Sequence, residues 1–110
     1  MSDRADGRAL FDELAPEYLG RPEVEISRMF GSEALSVRGK MFAFAANDGC
    51  LVVKLPEDRI AELQLDNMVM RGRPMREWAK VPLADGIERW RDIADEAHAF
   101  VDSITPADSP

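Results

Sequence analysis

Leu83, Ile87, Trp90, Ala94, Ala97 and Val101 recur in alternating steps of four and three residues. That spacing lays six apolar side chains along one face of an α-helix about five turns long. Ile93 and Phe100 widen the stripe, while Asp92, Asp95 and Glu96 occupy the opposite side. A helix this one-sided has to bury its stripe, so the rest of the chain must supply an apolar surface of matching length. Asp85, with Glu88 three residues later, has the spacing of a capping box at its start.

The rest of the chain supplies that surface in short segments. Leu10, Phe11, Leu14, Tyr18 and Leu19 predict a first helix over about 7–19, with Pro16 disturbing its last turn. Gly20-Arg21-Pro22 breaks the chain, and from Val24 the period falls to two. Val24, Ile26 and Arg28 alternate up to Met29-Phe30-Gly31, where Phe30 is expected to fill the core and Gly31 to take a conformation closed to side chains. Ala34–Val37, a turn at Arg38-Gly39-Lys40, the run Met41–Ala45, a hairpin turn at Asn47-Asp48-Gly49 and a return strand Cys50–Leu55 follow. The span 24–55 therefore reads as an antiparallel meander of three or four strands. Pro56 and Glu57-Asp58 open a short helix to about Leu65. Asn67–Met70 reads as a short strand, Arg71-Gly72-Arg73-Pro74 as irregular, and Met75–Val81 as the last strand.

The order α-β(3–4)-α-β(1–2)-α makes an α+β domain, a two-layer sandwich of an antiparallel sheet with helices. At 110 residues and 12.3 kDa the chain reads as a single domain over 1–110, with an ordered core at about 7–103 and a flexible tail at 104–110. Area scaling lets a chain of this size bury about 65% of its unfolded surface, enough for one core. A formal net charge of −7 opposes non-specific attraction to nucleic acid, whose affinity rests on neutralised phosphates. Met1–Arg8 lacks the apolar run of a secretory signal, and no window is long and apolar enough for a membrane span, so a cytoplasmic location is expected.

Four segments in this order resemble the TfoX/Sxy N-terminal domain family: Met29-Phe30-Gly31, Gly39-Lys40-Met41-Phe42-Ala43, Leu51-Val52-Val53-Lys54-Leu55-Pro56, and Gly72-Arg73-Pro74-Met75-Arg76-Glu77-Trp78 with Val81-Pro82. They span about residues 9–102. The resemblance implies a secretion-chaperone-like two-layer fold and a regulatory role through partner proteins. It implies a stand-alone N-terminal-type domain without the second domain of the competence regulators, so their competence activation does not carry over.

The sharpest local feature is the basic segment Arg71–Lys80, in which Arg71, Arg73, Arg76 and Lys80 oppose the single acid Glu77. The expectation is structural: the arginines pair with the acidic helices while Met75 and Trp78 pack inward. Two alternatives are an anion or partner contact through the guanidinium forks, and an AT-hook-like Arg-Gly-Arg-Pro core in a narrow minor groove. Trp78 and Trp90 both read as core residues. Cys50 reads as an inert strand thiol and His98 as a solvent-facing or capping group. Adjacent carboxylates such as Glu57-Asp58 and Asp95-Glu96 splay apart on helices and suit solvation.

One cysteine, one histidine and no serine in a nucleophile-elbow context supply neither an activated nucleophile nor a metal set. No catalytic, metal or cofactor residue is assigned. The chain therefore reads as a non-enzymatic module acting through a protein partner or as a homodimer, without a membrane. A DNA-linked regulator using the basic segment and a small-molecule or anion-binding domain are the alternatives.

Overall fold

A first helix, α1 (Asp3–Leu19), leads into four strands: β1 (Val24–Met29), β2 (Ser32–Val37), β3 (Lys40–Ala45) and β4 (Leu51–Lys54). A short helix α2 (Glu57–Glu62), strands β5 (Asp66–Met70) and β6 (Arg73–Val81), a 3-10 turn at Leu83–Asp85 and the long helix α3 (Gly86–Ile104) complete the chain. The structure, a computed structural model, describes residues 3–29 and 32–105 and, at positions 29 and 32, the backbone alone. The roles expected of Phe30 and Gly31, and the tail beyond Thr105, lie outside the described residues.

The six strands form one antiparallel sheet in the order β1-β2-β3-β4-β6-β5. Ile26, Leu35, Ala43, Val53 and Ala79 lie opposite one another across five strands, with Ala45, Leu51 and Val81 as the next row. These rows meet Phe11, Leu14 and Tyr18 of α1 and Trp90, Ile93, Ala94, Ala97 and Val101 of α3 in a single core. Trp90 is fully buried, and its indole N–H donates to the Pro82 carbonyl at 3.0 Å. The stripe of α3 is thus covered as its spacing requires. A bulge opposite Leu35/Ser36 leaves Phe42 as the extra residue of β3. Phe42 and Ala43 therefore join the helix-side core as consecutive residues, which strict alternation would forbid.

Four local expectations are corrected. α1 runs through Pro16 to Leu19 without a break; Pro16 is exposed, so the missing N–H and the carbonyl it orphans face water. Asp85 makes no cap hydrogen bond, because it sits in the 3-10 turn with helical backbone angles, whereas a capping residue needs an extended backbone. Arg71-Gly72-Arg73-Pro74 is regular: Arg71 and Gly72 (φ 54° and 78°) form a two-residue turn of the kind whose centre needs positive φ twice. Arg73 and Pro74 already belong to β6, opposite Met70 and Val69.

α2 is shorter than its expected reach to Leu65. Gln64 takes φ 57°, and the N–H groups of Gln64 and Leu65 bond the carbonyls of Ala61 and Ile60, the Schellman pattern that ends a helix. α1 rests on the β3–β4 turn through two glycines. A Cβ on Gly7 would stand 2.4 Å from the Gly49 carbonyl oxygen, so only hydrogen fits between the two backbones.

Candidate interaction surface

β6 carries the basic segment, and its period of two decides what that segment does. Ala79 and Val81 face the helices, so Trp78 and Lys80 face the other way. Trp78 is half-buried on this second face, with its ring centroid 5.9 Å from that of Phe44 and the Lys54 ammonium 5.3 Å from the ring centre. The expectation that Trp78 packs inward is thus wrong, for the same alternation that buries its neighbours. Met75 is likewise half-exposed. Phe44, Val52 and Lys80 lie in one cross-strand row, and none of them belongs to the core that the helices cover.

The expected pairing of the arginines with the acidic helices is also corrected. Arg71, Arg73 and Arg76 are exposed and make no ion pair among the described residues, because the β5–β6 hairpin carries them beyond the reach of α1 and α3. Lys80 alone has a partner, and it is the Asp48 carboxylate in the β3–β4 turn rather than a helix. That hydrogen bond raises the Lys80 pKa. Burial pushes Asp48 up, but Lys80 and the Cys50 N–H together pull it below the usual carboxylate range. The AT-hook alternative requires an extended Arg-Gly-Arg-Pro; here the first two residues turn the chain back on itself.

Beside the hairpin runs a groove of about 730 Å³, lined in part by Asp48, Val52, Asp66, Val69, Pro74 and Lys80. Asn67 closes a wide irregularity between β5 and β6: its side-chain amide donates to the carbonyls of Met75 at 3.0 Å and Arg76 at 3.1 Å. At the far end of the sheet a recess of about 350 Å³ joins Trp78, Met41 and Lys54 to Ile104 of α3.

The chain matches no model of a known protein family, and no curated protein sequence matches it.

The densest polar cluster lies between the helices, where sequence spacing offered no signal. The Tyr18 hydroxyl donates to Asp95 Oδ1 at 2.8 Å, and Arg21 donates to the same oxygen at 2.7 Å. Burial, then the bond to Asp95, lifts the Tyr18 hydroxyl well above the ordinary phenol range. His98 is half-buried against Phe42, centroids 5.3 Å apart, with Nδ1 3.3 Å from the Arg21 guanidinium, so it is not the solvent-facing group expected. Burial first, then Arg21, holds His98 below its ordinary value of 6.5. Glu96 takes Arg59 of α2 at 2.6 Å, and Arg91 reaches Glu17 of α1 at 2.8 Å. Asp95 and Glu96 do splay apart, and while partly solvated each also takes an ion pair, with Arg21 just past α1 and with Arg59 of α2. Burial, then Asp48, pushes the Cys50 thiol up, which keeps it protonated and inert. No helix of the described residues is long and apolar enough to cross a membrane.

Proposed function

We propose that this chain is a non-enzymatic association module, a domain of the TfoX N-terminal kind that acts by contact with a protein partner. The observation that carries the reading is the sheet face turned away from the helices, where Phe44 and Trp78 stand together with Lys54 over the indole ring. Aromatic and methionine side chains on a rigid, half-open surface are the groups that dominate protein interfaces. The ionisable groups that do converge, around Tyr18 and Asp95, are engaged with one another as struts between α1 and α3. Affinity purification from the native host with mass spectrometry tests the reading. The wild-type chain is expected to retain a partner that Trp78→Ser loses while the variant stays folded by circular dichroism. Identical recovery by both proteins would remove the second face from consideration.

A second reading, a DNA-linked regulator, is favoured by one observation: Arg71, Arg73 and Arg76 make no ion pair among the described residues. It predicts DNA binding that falls steeply with salt and drops on Arg73→Glu. Flat anisotropy curves at low salt for several duplexes would dispose of it.

A further inference from the structure

β5 is an edge strand, bonded to β6 on one side only. Natural edges are shielded by charges within the strand, by proline or by a bulge that turns the edge away. The opposite edge, β1, carries Glu25 and Arg28 within it. β5, Asp-Asn-Met-Val-Met, has an acid at its first position and then none, and Val69 is 59% exposed. Immediately past its last residue comes Arg71.

Arg71 is expensive where it stands. Its φ of 54° favours Gly or Asn, and an arginine there costs roughly 1 kcal/mol of backbone strain. The chain uses Arg-Gly once more at such a turn, at Arg38-Gly39 (φ 49° and 80°). Arg38 has a structural return: it bonds the Asp102 and Thr105 carbonyls at the end of α3 and pairs with Glu23 and Asp102. Arg71 has no ion pair among the described residues. Strain without a return inside the fold points outside it.

We infer that β5 pairs antiparallel with β5 of a second copy of this chain, centred on Met68, and that Arg71 of each copy meets Asp66 of the other. The charge order dictates the partner. A strand with a carboxylate at its start and a guanidinium just past its end is complementary to its own antiparallel image. Pairing about Met68 sets Asp66 opposite Met70 of the second copy, one residue from that copy's Arg71, and the relation is reciprocal, as a two-fold contact requires. Val69, 59% exposed, leaves water on pairing. The result is a continuous twelve-stranded sheet with β1 at both ends.

The inference rests on the association reading, yet it fails separately from it. Sedimentation and light scattering at micromolar concentration are expected to show a dimer that weakens as salt rises. Arg71→Asp keeps a residue that tolerates positive φ, and Asp66→Arg lies on an exposed position. Each variant alone is expected to dimerise at least tenfold more weakly. Mixed one to one they should recover a dimer, because one contact is then the native Asp66–Arg71 pair and the other is the same pair with its signs reversed. Arg71→Asn, which drops the charge without reversing it, should fall between wild type and Arg71→Asp. A wild type that stays monomeric overturns the inference but leaves a Trp78-dependent partner standing. A dimer indifferent to the single changes, or singles whose mixture does not recover, overturns it too and places self-association elsewhere.

Discussion

Gly7→Ala tests the docking of α1 by the sign of a single number. By helix propensity alone the change stabilises: alanine in place of glycine within a helix gains roughly 1 kcal/mol. The structure demands the opposite. The new methyl carbon would lie 2.4 Å from Gly49 O, 2.7 Å from Gly49 Cα and 2.8 Å from Gly49 C, all backbone atoms. Ordinary contact needs close to 1 Å more, and neither wall can yield by rotating a side chain. Either the first turns of α1 lift from the sheet or the turn at 47–49 moves, and forced overpacking of this kind costs about 1–3 kcal/mol. Because both walls are backbone the upper half of that range applies, and after the propensity gain a net loss of about 1–2 kcal/mol remains. For a chain of this length that lowers the melting temperature by about 4–9 °C. Calorimetry or thermal circular dichroism reads it directly. Gly20→Ala is the control, since nothing lies within 4 Å of a Cβ there and its φ is not positive; its melting point should hold or rise slightly. A Gly7→Ala protein that melts higher than wild type refutes the close approach of α1 to the β3–β4 turn.

Other consequences follow from the same contacts. Tyr18→Phe strips a hydroxyl from Asp95 and the Arg91 carbonyl, and denaturant titration should show a loss of about 1 kcal/mol. His98 is held below its ordinary 6.5, so the unfolded chain takes up a proton at higher pH than the folded one. Stability should therefore be full above that value and decline as pH falls below it through the lowered folded value; a His98→Gln chain with the same slope would contradict this. Gln64→Gly relieves positive φ at the end of α2 and should raise stability by roughly 1 kcal/mol in urea titration. Arg38→Met removes the bonds to the Asp102 and Thr105 carbonyls, and hydrogen exchange should show the last turn of α3 opening first.

The architecture was legible because each element announced its period. The four-three steps from Leu83 to Val101 and the alternation from Val24 required a helix and a sheet that cover each other, and both are present. What sequence reasoning missed were exceptions to period and matters of sidedness. Trp78 sits among apolar neighbours, and only the register of β6, with Ala79 and Val81 turned inward, reveals that it points the other way. The bulge at Phe42 breaks alternation without a glycine or proline to mark it. His98 looked solvated because nothing in the chain order places Phe42 and Arg21 beside it. The Arg71-Gly72 turn does carry a signal: the same dipeptide stands between two strands at Arg38-Gly39, where it also makes a turn.

The uneven cover of the sheet explains why the basic residues differ in their fates. α3 packs mainly on β2, β3 and β4 and α1 on β1 and β3, whereas the helix with the most extensive contact on β6 is the six-residue α2. Where the long helices lie, arginines are used internally: Arg21 on Asp95, Arg38 on Asp102, Arg91 on Glu17. Past β4 the long helices give way to the short α2, and Arg71, Arg73 and Arg76 make no ion pair among the described residues. An antiparallel pair tolerates one solvated face, but a five-residue edge strand with an exposed valine gains by finding another strand. A chain that places its unpaired guanidiniums beside its least protected edge has put specificity and driving force at the same end of the sheet. Neutralising the charge there should therefore cost recognition, while replacing Val69 with lysine should cost association outright; the stability of the single chain should be unchanged by the lysine and should hold or rise on Arg71→Asn, which suits the positive φ better.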